Sequence, residues 1–481
     1  MKYRIVLNAT GSVLTLLGVS MVFPLICGLL YQEKVIVAFL FSIIITVASG
    51  LCLRKLFPSQ EAIGPKEGFA IATLGWISAA GFGTLPFLFA GTFPTFIDAY
   101  FESMSGFTTT GATVLTSIEK NPRAILFWRN QIQWMGGMGI IVLLVAILPS
   151  SGIEGMQLFR AEVPGPTADK IRPTAKNTAK ILWLVYMIIS ALEVLFLYCS
   201  GMSLFDAFTH MFGTMSTGGF TPRTLSVGAY NNPVFESIIM IFMFIAGAKF
   251  FLNYRLLFHL DVKALIKDRE FLFYVGVILT SILVITIQLK VYIYQSIFAA
   301  LRYASFQVVS ITTTTGFVTT NYDVWPALSK SILLILMFIG GCAGSTGGAI
   351  KNVRILLLLK QAYRELYRLV HPRAVTSIRL GDEVISEEVM GNITGFFLLY
   401  IFIFVLCTFI MAMLGLDMLS AAASVAATLG NVGPGLGMVG PAKNYAFIHP
   451  GGKMILAFCM LLGRLEIYTV LVLLIPTFWR K

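Results

Sequence analysis

The sequence predicts an all-α integral membrane protein with ten transmembrane helices, and three observations lead to that fold class. Of the 481 residues, 57% are apolar and only 12% are charged, whereas a soluble domain carries about twice that share of charge. Ten long apolar windows follow one another, each near the ~20 residues that cross a bilayer. Four short clusters of Thr, Ser, Asn and Gly recur between these windows, which indicates an internal repeat.

The ten windows predict spans and their orientation. They lie at 11–31, 35–53, 69–91, 124–149, 181–201, 234–258, 271–291, 329–359, 392–415 and 452–475. The first window is interpreted as a span because no small-x-small cleavage site precedes a polar segment, as a signal peptide requires. With the N-terminus inside, the largest basic clusters (160–180, 255–269 and 354–379) are all cytoplasmic, as the positive-inside rule demands. Both termini are therefore expected in the cytoplasm.

Composition also excludes several functions. The net charge of +12 would suit nucleic acid only as a basic patch on a soluble fold, and here the basic residues stand between apolar runs. Six isolated cysteines without a CxxC pair support neither a disulfide framework nor a zinc site. Four histidines without HExxH give no metal hydrolase. The spans carry no paired acids or Ser/His dyad, so an intramembrane enzyme is not supported.

The repeated clusters occupy corresponding places between successive spans. They are Thr109-Thr110-Gly111-Ala112, Ser216-Thr217-Gly218-Gly219, Thr314-Thr315-Gly316-Phe317 and Asn431-Val432-Gly433-Pro434. In the register Gly111, Gly218, Gly316 and Gly433, a phenylalanine precedes three of the glycines by ten residues (Phe101, Phe208 and Phe306). One supersecondary unit used four times explains this pattern.

The physical interpretation of each unit is a re-entrant loop, in which a short helix descends partway and the chain returns as irregular backbone. Such backbone is tolerated at membrane depth only when it is buried or lines a watery cavity. Four units around an axis would direct carbonyl oxygens and negative helix ends at one point, which favours a cation there. A single Thr-Gly pair is more simply a turn, so the fourfold repetition carries the inference.

The sequence resembles the Trk/Ktr/HKT potassium transporters, on the bacterial TrkH-type branch. The resemblance covers nearly the whole chain, through FESMSGFTTTGATV (101–114), FWRNQIQWMGGMGIIVLLVAILP (127–149), MQLFRAEVPGP (156–166), IGGCAGSTGGAIKNVRILLL (339–358), LVHPRAV (369–375), TLGNVGPGLG (428–437) and GRLEIYTVLVLLIPTFWRK (463–481). It implies four M1–pore loop–M2 repeats around one pore plus an N-terminal helix pair. The corresponding segments are 1–68 for the pair, then 69–150, 151–265, 266–390 and 391–481 for the repeats.

By motif position, the resemblance implies a K⁺ filter. Its residues would be Thr109, Thr110, Gly111, Ser216, Thr217, Gly218, Thr314, Thr315, Gly316, Asn431, Val432 and Gly433. Because Gly111 keeps glycine in all four units, K⁺ is preferred over Na⁺ as the transported ion, with Rb⁺ passing, and no cofactor is expected. The resemblance further implies a homodimer in the bacterial inner membrane. It also implies a cytosolic nucleotide-binding ring, a TrkA-type subunit, as regulator.

A glycine-rich stretch interrupts the window 329–359. Glycines at 340, 344 and 348 could mean close helix packing, but five glycines in nine residues make a poor helix interior. The resemblance implies an intramembrane gating loop, formed by Gly340, Gly341, Gly344, Ser345, Thr346, Gly347 and Gly348, with Lys351 and Arg464 beside it. Snorkelling of Lys351 and an Arg464–Glu466 pair are the alternatives. Lys249 departs from the Asn usual in this family, and the sequence does not decide its role.

Two further alternatives stay open. The polar stretch 360–390 is either a solvated surface helix or the surface that docks the regulatory ring. Broken helices also mark ion-coupled secondary transporters, so an H⁺- or Na⁺-coupled K⁺ symporter is the second functional hypothesis. The repeats share one orientation, each beginning and ending inside, which favours a pore.

Overall fold

The computed structural model describes residues 1–59, 63–139, 175–374, 376–381 and 383–480, and these are almost entirely helical outside the loops. The end of the window 124–149, the MQLFRAEVPGP motif and the basic segment 160–174 lie outside the described residues. The all-α membrane fold predicted from composition is confirmed.

An antiparallel helix pair forms the N-terminal extension. Helix α1 (Tyr3–Ser20) runs through Met21 into α2 (Val22–Leu30), and α3 (Ile36–Leu56) returns beside α1. The two helices approach closely at Gly11 and Gly50, because a Cβ at Gly50 would lie 2.7 Å from the Gly11 carbonyl oxygen. Small residues of this kind allow helix backbones to pack tightly in lipid.

Four units follow, each with a long first helix, a short descending helix and a second helix. The helices of unit 1 are α4 (Pro65–Gly83), α5 (Leu85–Phe89), α6 (Phe96–Phe107) and α7 (Arg123–Gly137). Unit 2 has α8 (Ala175–Cys199), α9 (Leu204–Met215), α10 (Pro233–Gly247), α11 (Phe250–His259) and α12 (Val262–Lys267). Unit 3 has α13 (Arg269–Tyr292), α14 (Ile297–Thr312), α15 (Ala327–Leu336) and α16 (Asn352–Val370). Unit 4 has α17 (Glu387–Met413), α18 (Met418–Leu429), α19 (Pro450–Arg464), α20 (Tyr468–Leu471) and α21 (Pro476–Trp479).

Units 3 and 4 are joined by a small hairpin. Strands β1 (Arg379–Leu380) and β2 (Glu383–Val384) pair antiparallel, with Arg379 opposite Val384. Of the stretch 360–390, the first third is therefore the end of α16, and α17 begins at Glu387 with Ser386 as its N-cap.

Within the described residues, six helices have the length and hydropathy to cross a bilayer, and two bent pairs do so together. The bends are 109° between α10 and α11, and 112° after α19. The windows 124–149 and 329–359 account for the remaining two predicted spans. The first extends beyond the described residues, and the second is broken between Leu336 and Asn352. The second helices thus break in units 2, 3 and 4, whereas the sequence analysis placed a break in unit 3 alone.

The units surround a common axis because each interlocks with the next. The second helix of unit 1 packs on the short helix of unit 2, α10 packs on α14, and α19 packs on α6 of unit 1. Ion pairs fasten two of these contacts, since Arg302 binds both oxygens of Glu236 at 2.7 Å and Lys453 lies 2.6 Å from Asp98. The last unit therefore closes back on the first.

Candidate ion-binding site

The four short helices α6, α9, α14 and α18 end in the same backbone pattern. One cap residue follows each helix, then a residue with positive φ, and two positions later a glycine with positive φ. The first set is Thr109 (53°), Thr217 (53°), Thr314 (63°) and Asn431 (53°); the second is Gly111 (82°), Gly219 (75°), Gly316 (77°) and Gly433 (96°). Positive φ is uncommon outside glycine, so its recurrence at one position shows a shared constraint.

This pattern corrects the sequence register of unit 2, which was wrong by one residue. The structural counterparts of Thr109, Thr110 and Gly111 are Thr217, Gly218 and Gly219, while Ser216 is the helix cap. The hydrogen bonds agree, because Thr110 and Gly218 each donate a backbone N–H to the carbonyl five residues earlier. Phe208 therefore does not correspond to Phe101: its side chain is 37% exposed, against 1% for Phe101.

The four glycines close a ring through their neighbours. A Cβ built on each would fall within 2.6 Å of a carbonyl oxygen of the next unit. The pairs run in order around the axis: Gly111 with Gly218, Gly219 with Thr315, Gly316 with Val432, and Gly433 with Thr110. Each position therefore excludes a side chain both by its positive φ and by the close approach of the backbone of the next unit. The ring brings together the carbonyl-bearing residues Thr110, Gly218, Thr315 and Val432.

Hydroxyl and amide side chains stabilise the strands of the ring. In unit 1, the cap Thr108 and Thr110 share a hydroxyl–hydroxyl bond of 2.8 Å, and Thr313 and Thr315 do the same in unit 3 at 2.8 Å. Asn431 links two units, because its amide nitrogen donates to the Thr110 hydroxyl and the Met460 carbonyl, both at 2.9 Å. The side-chain oxygens in these bonds are uncharged hydroxyls.

A buried ion pair, which the sequence analysis did not predict, stabilises the backbone that follows the ring residues in units 1 and 2. Glu102 on α6 and Arg129 on α7 are 2.6 Å apart with almost no solvent exposure. Glu102 also accepts from the Thr113 hydroxyl (2.8 Å) and the Val114 N–H (2.9 Å). Arg129 donates to the Thr221 carbonyl of unit 2 at 3.1 Å. The signal was available, since charged residues inside apolar windows are expensive without such a role.

The glycine-rich stretch forms a loop directly beneath the ring. Its neck is closed by a bridge between Ile339 and Ile350 and by the Asn352 amide, which donates to the Gly340 carbonyl. The Gly348 N–H donates to the Thr314 hydroxyl at 2.7 Å. A Cβ on Gly347 would lie 3.1 Å from the Thr313 carbonyl oxygen. The glycines therefore allow the loop to lie against the helix caps of the ring.

Two basic side chains lie beside the loop. Lys351, only 2% exposed, donates to the Gly347 carbonyl. Arg464 donates to the Thr346 carbonyl (2.8 Å), the Thr109 hydroxyl (3.0 Å) and the carbonyls of Gly136 and Gly137 (both 2.6 Å). Glu466 instead pairs with Arg354. Lys351 thus does not snorkel, and Arg464 joins the loop to units 1 and 4.

Lys249 contacts neither the ring nor the loop carbonyls. Its ammonium lies 2.8 Å from Asp268 and 2.9 Å from Glu270. The same Glu270, 1% exposed, accepts the loop N–H of Ala343 at 2.6 Å and the Val353 N–H at 3.1 Å through one oxygen. Lys249 therefore neutralises the carboxylate that binds both the loop and the start of α16.

Two cavities lie on opposite sides of the ring. The outer one is lined by all four positive-φ glycines together with Arg223 and Lys443. The inner one is lined by Trp76, Phe250, Lys351, Arg464 and loop residues that include Gly344 and Ser345. Carbonyls, hydroxyls and the negative ends of four helices converge between the two cavities. This arrangement suits a partly dehydrated monovalent cation, and among the described residues no group of His, Cys, Asp and Glu could hold a multivalent metal.

Fold and site together define a multi-pass membrane protein with a fourfold pseudo-repeat around a ring of glycines and backbone carbonyls. The family model for TrkH, a cation transport protein, matches residues 32–481. The chain is 45% identical over 488 residues to the Trk system potassium uptake protein TrkH of Salmonella typhimurium. It is 44% identical to that of Escherichia coli K12, and both matches cover 100% of each chain.

Among solved structures, the crystal structure of the potassium transporter TrkH from Vibrio parahaemolyticus gives a TM-score of 0.90 at 38% identity, covering 100% of both chains. The chain belongs to the TrkH family of cation transport proteins, which are transporters and not enzymes.

Proposed function

We propose that this chain takes up K⁺ across the bacterial cytoplasmic membrane through the glycine–carbonyl ring, with both termini in the cytoplasm. The observation that carries the proposal is the closed order of the four glycine–carbonyl contacts. Carbonyl oxygens at such a ring replace the hydration shell of an ion, and the four helix ends add favourable potential. The names of the relatives, which are potassium uptake proteins, support K⁺ as the ion.

The filter residues are those of the sequence analysis with the register of unit 2 corrected. Thr109, Thr217, Thr314 and Asn431 supply the inner side-chain oxygens, and the residues after them supply the carbonyls. Absence of carboxylates from the ring keeps binding weak enough for the ion to leave. Rb⁺, which is close to K⁺ in size, passes as well.

The loop 340–348 is the gate of this pore. Its bonds to Thr314 and Arg464, and the Lys351 bond to Gly347, hold it beneath the ring. Lys351 and Arg464 also place positive charge where a cation would leave the filter, which opposes its passage. Opening requires these bonds to break so that the loop moves aside.

Regulation comes from a cytosolic nucleotide-binding ring docked on the cytoplasmic end of α16, and the pore unit is a homodimer surrounded by lipid. The exposed apolar side chains Tyr363 (71%), Leu366 (64%) and Leu369 (78%) support docking at this helix. Arg373 is exposed and suits the same surface. Arg364 does not, because it is buried and bound to Glu387 and Glu365 within the chain.

Purified protein in liposomes tests the function. An inward K⁺ gradient should drive Rb⁺ tracer uptake, and bilayer recordings should show unitary currents that reverse near the K⁺ potential. Absence of K⁺-dependent uptake would refute the proposal. Uptake without unitary currents that follows an imposed H⁺ or Na⁺ gradient would favour the coupled symporter instead.

A further inference from the structure

Unit 2 differs from the other three at its ring carbonyl. Units 1, 3 and 4 carry Thr110, Thr315 and Val432 there, and the two threonines are fixed by hydroxyl bonds to their helix caps. Unit 2 has Gly218 followed by Gly219. Neither residue has a side chain, so this segment has the greatest backbone freedom of the four. A ring carbonyl on such a strand needs another means of support.

Gln133, on the second helix of unit 1, supplies that support. It is fully buried; its Nε2 donates to the Gly218 carbonyl at 2.6 Å, and its Oε1 accepts the Phe220 N–H at 2.9 Å. The amide therefore grips the strand on both sides of Gly219, and the pair of bonds fixes which amide atom is which. Among the described residues, the carbonyls of Thr110, Thr315 and Val432 accept no hydrogen bond.

The space around Gly218 is matched to this glutamine. A Cβ on Gly218 would lie 2.6 Å from the Gln133 Cδ, so the amide fills the volume that a side chain fills in the other units. At the corresponding position of the second helix, unit 1 has the polar Gln133 whereas unit 2 has an apolar residue. Gly137 packs on the helix cap Ser216 as Gly247 packs on the cap Thr313, and four residues before Gly247 stands Met243, which is apolar and fully buried.

The Gly218 carbonyl stays in the ring despite its hydrogen bond. It faces Gly111 as the carbonyls of Thr315, Val432 and Thr110 face the other three glycines. We infer that Gln133 is a positioning residue for ion selectivity, which holds the Gly218 carbonyl in place of the missing side chain. This inference rests on the proposed K⁺ filter and assigns a residue outside the repeated motif to it.

The test replaces the amide by an apolar side chain of similar length, Gln133→Met. The variant removes both hydrogen bonds of the amide. Loss of the bond to the Gly218 carbonyl should lower the K⁺/Na⁺ selectivity, measured as Na⁺ competition against Rb⁺ uptake and as reversal potential, by about fivefold. The matched control is Gln131→Met on the same helix. Gln131 is also buried (4%), but it donates to the Ser20 carbonyl at 2.9 Å, away from the ring.

A compensating change distinguishes positioning from general packing. Gln133→Met with Gly218→Thr recreates the arrangement of unit 3, and Ser216 at the cap provides the hydroxyl partner that Thr313 provides to Thr315. The double variant should recover most of the selectivity, whereas Gly218→Thr alone should not. The double variant should show this selectivity even where Gln133→Met alone is too unstable to assay.

Unchanged selectivity in Gln133→Met would overturn the inference. Equal losses in Gln131→Met, or no recovery in the double variant, would do the same. A wild-type protein that takes up Rb⁺ without preferring K⁺ to Na⁺ would instead refute the proposed filter itself, and the assigned role of Gln133 with it.

Discussion

The loop gate predicts that Arg464→Ala increases K⁺ flux. Arg464 makes four described hydrogen bonds, of which one reaches the loop, at the Thr346 carbonyl. The other three bind unit 1, at Thr109, Gly136 and Gly137. Of these four bonds, the Thr346 bond is the one that joins Arg464 to the loop and favours the closed position directly.

The expected size follows from that single bond. A hydrogen bond to a charged donor contributes about 1.5–3 kcal/mol. Its loss shifts the closed–open equilibrium roughly 10- to 150-fold, at about 1.4 kcal/mol per decade. Arg464→Lys keeps the charge with fewer, differently placed donors. It should therefore give an intermediate flux if geometry matters, and wild-type flux if charge alone closes the pore.

The assay is Rb⁺ tracer flux in liposomes together with the open probability of single channels. Arg364→Ala is the control, because Arg364 is a buried arginine whose partners Glu365 and Glu387 lie on α16 and α17 and not in the loop. Size-exclusion profiles and Tm check that each variant is folded. A folded Arg464→Ala protein that conducts no more than wild type would refute the gate.

Three further predictions test the ring and its supports. Gly111→Ser and Gly219→Ser should each lower the K⁺/Na⁺ selectivity of Rb⁺ uptake by about tenfold or more. Both variants place a side chain against a neighbouring carbonyl at a residue with positive φ. Full selectivity in Gly219→Ser would reject the corrected register of unit 2. Glu270→Ala should raise the basal flux by freeing the loop N–H of Ala343 and the Val353 N–H at the start of α16. Glu270→Gln, which keeps an oxygen acceptor, should stay closer to wild type. Equal fluxes in Glu270→Ala and wild type would exclude this tether. Glu102→Ala should lower the free energy of unfolding by about 3–5 kcal/mol, because Arg129 stays buried without its carboxylate partner. The Tm should fall below that of Glu119→Ala, which changes an exposed glutamate in the loop between α6 and α7. Equal Tm values would show that the pair is unimportant.

The parts of the site that the sequence predicted are those that repeat. Thr109, Thr314 and Asn431 share an offset from a glycine, so three weak signals reinforce each other. The predicted register of unit 2 was wrong because Ser216-Thr217-Gly218-Gly219 offers two adjacent glycines and two adjacent hydroxyls, and either register fits the sequence. The helix end decides the register, and helix ends are the least certain feature of a sequence.

Other features were not predictable because they depend on contacts distant in sequence. Glu102 binds Arg129, which in turn binds unit 2, and Lys249 binds Asp268 and Glu270 at the start of α13. In the sequence, Arg129 and Lys249 showed only as unexplained charges in apolar windows. The bend after α19 has no proline to mark it, and its positive φ values fall on Glu466 and Ile467, where no sequence rule would place them.

In the proposed mechanism, the same side chains belong to the filter and to the closed gate. Thr314 accepts the Gly348 N–H, and Thr109 accepts from Arg464, through hydroxyl lone pairs that an ion at the inner end of the filter would also use. An ion bound there and a closed loop therefore compete for one set of acceptors. Uncharged oxygens suit both roles, since a carboxylate at these positions would bind Arg464 too tightly to release the loop. Residue type at the positive-φ position is thus constrained twice, once by the ion and once by the gate.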